Sequence, residues 1–188
     1  MLLEALRDFQ WYNDPKEFSF GQQGVKIISA PQSDFWQDKV RKYSKDDGHF
    51  FYGERSGSFA MSTCWRLGDI KDFAQSGLMG RIDENHWFKI SIMSKDGCTQ
   101  NIGTVVTNSG NSDMALTPLD TTVSKIWFKV RRSSDGLFEL SYSLNGATYS
   151  AIRRFRLLPD RDRIFVGVYC CSPSEQEQQS LLTSIEFD

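Results

Sequence analysis

The sequence lacks most of what reaction centres are built from. It has two histidines, His49 and His86, too few for a histidine-rich metal centre. Its four cysteines, Cys64, Cys98, Cys170 and Cys171, fall at spacings that match no zinc knuckle. Cys170 and Cys171 are adjacent, so they point to opposite faces of any strand that holds them. We read all four as free, mostly buried thiols of a reducing compartment. The chain also has no Gly-x-x-x-x-Gly-Lys phosphate loop, no dinucleotide glycine fingerprint, no His-Glu-x-x-His and no Gly-x-Ser-x-Gly. No metal and no cofactor is expected.

Long apolar runs are missing as well. None approaches the roughly 18 residues of a membrane-spanning helix. The opening residues MLLEALRDF carry Glu4, no basic leader and too short an apolar stretch for a signal peptide. A cytoplasmic protein without membrane attachment is the expectation. An excess of charge is missing too: 22 Lys and Arg stand against 24 Asp and Glu, a net charge of −2. That balance argues against general nucleic-acid binding, which needs a basic surface to meet many phosphates.

What the chain does have is aromatic and β-forming: 14 Phe, 6 Tyr and 5 Trp, a composition suited to a β-rich core. The pattern is clearest over residues 75–108, where strand-like runs are separated by turn clusters at Asp83-Glu84-Asn85 and Lys95-Asp96-Gly97. In the middle run Phe88, Ile90 and Ile92 alternate with Trp87, Lys89 and Ser91. A strand turns successive side chains to opposite faces, so this one has an apolar face and an aromatic, cationic one. The pattern returns where Ile126, Phe128 and Val130 alternate with Trp127, Lys129 and Arg131. Met79 and Arg81 alternate with Leu78, Gly80 and Ile82 and extend the cationic face.

Residues 1–8 read as either a helical turn or a short docking strand. Residues 9–13, 25–30, 49–53, 58–67, 138–142, 152–158, 163–171 and 181–188 read as further strands. A helical turn is expected near Phe35, and a long connecting loop over residues 109–124, which are rich in Ser, Thr, Asn and Asp around Pro118. Asn145-Gly146 is a two-residue hairpin signal. Many short strands spaced by turns, with almost no helical period, predict an all-β sandwich forming one domain over residues 1–188. A chain of this length buries roughly 70% of its unfolded surface and needs no external staple.

Six segments in order carry a family resemblance: FWQD (35–38), GHFFYG (48–53), QSGLMGRIDENHWFKISI (75–92), VVTNSGNSD (105–113), FELSYSLNG (138–146) and VGVYCCSP (166–173). Together they resemble a domain-of-unknown-function family of the concanavalin A-like superfamily, one that includes the fungal regulation-of-enolase protein. The resemblance covers nearly the whole chain and implies a jelly-roll sandwich of two antiparallel sheets, one concave and one convex. It also implies a role near carbohydrate metabolism. Gln75, Asn108 and Asp113 match family motif positions and are candidate ligand contacts. Met114 departs from the pattern, because members often carry an aromatic ring just after the Ser-Asp pair.

Glycoside hydrolysis needs two carboxyls about 5–5.5 Å or about 6.5–9.5 Å apart, and no Glu-x-Asp-x-x-Glu strand occurs here. Asn108, Asn111 and Asp113 could offer some calcium ligands, but such residues in a loop more often bond their own backbone. The candidate ligand-binding residues are therefore Arg81, Trp87, Lys89, Trp127, Lys129, Arg131, His49, Gln75, Asn108 and Asp113. A ring beside cationic donors suits a sugar or an anionic metabolite. The bland counterpart is a solvated sheet face with cross-strand pairs such as Lys129 with Glu139, and for His49 a hydrogen-bonded structural role. The Arg153, Arg154, Arg156, Arg161 and Arg163 run reads as a solvated edge. The expectation is a non-catalytic binding or regulatory module. Its rivals are a cryptic sugar-acting hydrolase or isomerase, and a protein-interaction module with a partner such as a glycolytic enzyme.

Overall fold

The computed structural model describes residues 6–96, 99–120 and 122–188. Among them every regular element is a strand. In chain order these are β1 (Gln10–Tyr12), β2 (Glu17–Gly21), β3 (Gly24–Ser29), β4 (Phe35–Asp38), β5 (Tyr43–Asp46), β6 (His49–Arg55), β7 (Phe59–Arg66) and β8 (Gln75–Asp83). Then follow β9 (His86–Ser94), β10 (Gln100–Asn108), β11 (Asn111–Leu119), β12 (Lys125–Arg132), β13 (Phe138–Ser143), β14 (Ser150–Phe155), β15 (Ile164–Cys171) and β16 (Gln178–Phe187). They form two antiparallel sheets. The first runs β1-β6-β15-β8-β9-β10-β11-β4-β5, the second β14-β13-β12-β7-β16-β3-β2.

The two-faced runs meet as their alternation requires. Phe88, Ile90 and Ile92 of β9 and Ile126, Phe128 and Val130 of β12 are all buried in one core between the sheets. Backbones approach closely where side chains are absent. A Cβ on Gly77 of β8 would lie 1.9 Å from the Ile90 carbonyl oxygen, so the β8–β9 pairing admits only glycine there.

Several local expectations need correcting. Residues 35–38 form a strand, not a helical turn, because Phe35 and Gln37 are buried while Trp36 and Asp38 are half-buried, a period of two. Residues 109–124 are mostly the strand β11, which pairs with β10 from Asn111 to Leu119. Beyond the single Asn111–Asp38 pairing to β4, its other side has no partner strand among the described residues. Pro118 is tolerated on such an edge. Asn145-Gly146 lies in a longer connection over residues 144–149, with Gly146 at φ 75°. Of the N-terminal segment, residues 6–8 form a turn that buries Leu6 in the core, while residues 1–5 lie outside the described residues. So do Cys98 and the Gly97 end of the second hairpin turn. Cys64, Cys170 and Cys171 are free and buried; burial pushes the Cys170 thiol up to about 12.

The first sheet also curls over its own outer face. Its terminal strands β1 and β5 are joined where Tyr12 Oη donates to Asp46 Oδ2 at 2.7 Å. Asn13 Nδ2 donates to the Asp46 and Gly48 carbonyls at 2.8 and 3.0 Å. From the middle of the sheet, Arg81 bonds both Asp46 oxygens at 2.6 and 2.8 Å. The β4–β5 hairpin thereby lies across the outer face and encloses a second apolar cluster that includes Phe35, Phe50, Met79, Trp87 and Tyr169.

Candidate binding cleft

Where the hairpin stops covering that face, a cleft begins. The register explains why it is hollow. One row across the sheet runs Tyr169, Gly77, Ser91, Gly103, Leu116, so three neighbouring strands contribute small residues or none at all. The flanking rows are bulky, with Gln75 and Met93 on one side and Met79, Lys89, Val105 and Met114 on the other. The cleft measures about 130 Å³, with Ser91, Gly103, Val105, Lys89 and Gln75 among its lining. Asp34 and Trp36 come from the β4 segment, Phe73 from the connection before β8, Pro173 from the end of β15, and Met93 and Met114 complete it.

Its polar groups are held in place. Lys89 is buried and donates to the Phe35 carbonyl at 2.8 Å and to Asp34 Oδ1 at 3.1 Å. Its ammonium sits 5.6 Å from the Trp87 ring and 5.5 Å from that of Tyr169. The Phe35 N–H donates to Asp34 Oδ1 at 2.7 Å, and Cys171 Sγ donates to the same oxygen at 3.5 Å. Burial, and then the Asp34 charge, hold the Cys171 thiol well above the usual thiol range. Tyr169 Oη donates to Gln75 Oε1 at 3.1 Å, while Gln75 Nε2 donates to the Phe73 carbonyl at 3.3 Å.

Phe73 stands apart. It is 45% exposed at the lip of the cleft and has a backbone φ of 59°. A bulky residue in the left-handed region is strained, by about 1–3 kcal/mol. Its N–H donates to the Ser94 carbonyl at 2.7 Å, which pins the segment. The chain thus holds an aromatic ring out to solvent in an unfavourable backbone conformation.

Of the residues singled out from sequence, Gln75 and Lys89 line this cleft. Arg81 and Trp87 share its sheet face but lie under the β4–β5 hairpin, and Trp87 is fully buried rather than exposed. Trp127, Lys129 and Arg131 occupy the outer face of the second sheet, away from the cleft. There Lys129 pairs with Asp188 at 3.2 Å. Glu139 is aligned with Arg131 and bonds Arg154 at 2.6 Å, which corrects the expected Lys129–Glu139 pair. Asn108 spans the sandwich, donating to the Arg156 carbonyl at 3.1 Å and accepting the Leu158 N–H at 2.9 Å. Asp113 pairs with Arg153 at 3.1 Å. His49 has the structural role: Nδ1–H donates to the Asn13 carbonyl at 2.8 Å and Nε2 accepts the Ala30 N–H at 2.9 Å. Burial lowers its pKa.

Sequence reasoning missed Asp34, Trp36 and Phe73. The first two sit on the stretch read as a helical turn, and Phe73 lies in an aperiodic connection. The available signals were the FWQD segment, which contains Trp36, and the Met114 departure, and both side chains do line the cleft.

Two sheets, their jelly-roll connections and a cleft on the outer face of one make this a concanavalin A-like sandwich. The chain belongs to the family described as "Protein of unknown function (DUF1349)", which matches residues 11–188. It is 27% identical over 163 residues to "Regulation of enolase protein 1" of Saccharomyces cerevisiae, covering 87% of this chain and 80% of that protein. A functionally unknown protein from Saccharomyces cerevisiae has the same fold, with a TM-score of 0.88 and 24% identity over 97% of both chains. A xylan beta-1,4-xylosidase from Bacillus halodurans matches 95% of this chain with 36% of its own length, at a TM-score of 0.71 and 13% identity. An alginate lyase from Pseudomonas aeruginosa matches 98% of this chain and 89% of its own, at a TM-score of 0.58 and 12% identity.

Proposed function

We propose that the chain is a non-catalytic, cytoplasmic binding or regulatory module linked to carbohydrate metabolism, and that its cleft takes a small sugar. The observation that carries this reading is the cleft itself. Its walls include two aromatic rings, Trp36 and Phe73, and its polar lining includes Gln75, Ser91, Asp34 and Lys89. A sugar ring presents an apolar C–H face that packs on aromatic surface and hydroxyls that need fixed donors and acceptors. The strained Phe73 supports the same reading, since strain that stability does not require is concentrated at ligand clamps.

Binding fits better than hydrolysis. Among the described lining residues Asp34 is the sole carboxylate, and it is held by Lys89, whereas glycosidases flank the scissile bond with two. The name of the yeast relative supports a regulatory output, for which a glycolytic enzyme is the partner to look for. Titration calorimetry of the full chain against neutral monosaccharides and short oligosaccharides tests the cleft. Binding that disappears in Trp36→Ala and Phe73→Ala is the expected result. No heat from any sugar, with no shift in melting temperature, overturns the reading.

A further inference from the structure

We infer that Asp34 sets the charge specificity of the cleft, reserving it for one uncharged sugar ring and barring phosphorylated or carboxylated sugars. This rests on the sugar-binding reading above and goes further by naming the ligand class and the residue that selects it.

Size comes first. An apolar cavity of about 150 Å³ holds a benzene molecule; at about 130 Å³ the cleft, open on one side, seats part or all of one sugar ring and not a run of them. A free monosaccharide or the last residue of a chain fits.

Charge comes second. Lys89 supplies the cation among the described lining residues, and taken alone it would attract anions. Its side chain is 2% exposed, however, and it is bonded to Asp34, whose side chain is 18% exposed. The pair is neutral and its negative member is the outer one. Arg81, another cation of this sheet face, is held by both oxygens of Asp46, and Lys45, aligned with Trp36, pairs with Asp47 at 2.9 Å; both are equally unavailable. An anionic ligand therefore finds no free positive charge and meets a carboxylate on entry.

Valence comes third. Lys89 Nζ, the Phe35 N–H and Cys171 Sγ all bond Asp34 Oδ1. Among the described residues no donor is assigned to Oδ2. A carboxylate oxygen is an acceptor only, so Oδ2 is suited to a hydroxyl that donates. A sugar hydroxyl can fill that role and an ionised phosphate or carboxylate group cannot, so Oδ2 takes a hydroxyl of the ring while the unbalanced outer charge bars the anionic group.

The test is calorimetry on the full chain with matched probes: glucose against glucose 6-phosphate and glucuronate, and xylose as a smaller neutral ring. Wild type should bind at least one neutral probe, and glucose at least tenfold more tightly than its charged counterparts. In Asp34→Asn, which unmasks the Lys89 charge, that ratio should fall to unity or invert. If the variant does not fold, as judged by its melting curve, the wild-type ratio alone decides. Equal or tighter binding of the charged probes by wild type overturns the inference and leaves the sugar reading standing. An unchanged ratio in folded Asp34→Asn overturns the role of Asp34. Failure of every probe overturns both.

Discussion

Lys89 is fastened to the hairpin that buries it, through the carbonyl of Phe35 at 2.8 Å and the carboxylate of Asp34 at 3.1 Å. One side chain from the middle of the first sheet thus holds the segment that both covers the second apolar cluster and supplies a wall of the cleft. Removing one member of a buried ion pair leaves the other charge uncompensated, at a cost of roughly 3–5 kcal/mol. Because Asp34 is partly exposed and can rehydrate, Lys89→Met should lose about 3 kcal/mol, the lower end of that range. Urea unfolding checks this, and a loss below about 1 kcal/mol would mean that the pair behaves as a surface contact.

Phe73 should separate stability from binding. Asparagine tolerates the left-handed backbone region far better than phenylalanine does. Phe73→Asn should therefore keep or raise the urea midpoint while abolishing sugar binding. A stability drop beyond about 1 kcal/mol would show that the ring is packed for structure and not held out for a ligand.

Met114 offers a gain-of-function test. It is 45% exposed and lines the cleft, at a position where the family resemblance implies a ring. An aromatic contact contributes about 0.5–1.5 kcal/mol beyond area burial, so Met114→Trp should tighten binding of a neutral sugar roughly two- to tenfold. Unaltered affinity would place the ligand elsewhere in the cleft.

His49 predicts a pH dependence of stability. In the unfolded chain it titrates near 6.5, and in the fold burial lowers that value, against the opposing pull of the Asn13 carbonyl, Asp47 and Asp14. Below pH 6.5 the unfolded state binds the extra proton first. The stabilisation is then complete above that pH and is lost as the pH falls toward the folded value. Urea midpoints should drop between about pH 7.5 and about pH 5.5, and His49→Gln should flatten the trend. The lowered carboxylates Asp47 and Asp83 act further down, below 3.8, so they do not confuse this window.

The sandwich was legible because strand alternation is a local property. Phe88, Ile90 and Ile92 announce an inward face whatever the rest of the chain does. The outward face is another matter. Trp87 and Lys89 read as solvent-facing, and they would be, had the sheet not curled until Tyr12 reached Asp46. That closure joins residues far apart in sequence through side chains whose types carry no periodic signal. The cleft was hidden for a similar reason. Its floor is the alignment of Ser91 and Gly103 across neighbouring strands, a register property, and its lip is one residue in a conformation that no pattern encodes. Gln75 and Lys89 were found because they lie on the strand faces. Trp36 was missed because four residues, FWQD, are too few to tell a turn of helix from a strand, and Asp34 because it lies just before them, outside any periodic run.

The Tyr12–Asp46 junction bears on solubility as well as on the cleft. Free sheet edges are where chains pair with one another and aggregate, and in the first sheet side-chain hydrogen bonds from Tyr12 and Asn13 tie the two terminal strands together. Among the described residues open edge remains along β11, blunted by Pro118, and at the ends of the second sheet, β14 and β2. β14 is guarded by Arg153 and Arg154. β2 presents Phe18 and Phe20, 40% and 45% exposed, with Glu17 as the charge within the strand. A crowded or partly unfolded population should therefore begin to self-associate at β2, on the sheet that has no part in the cleft.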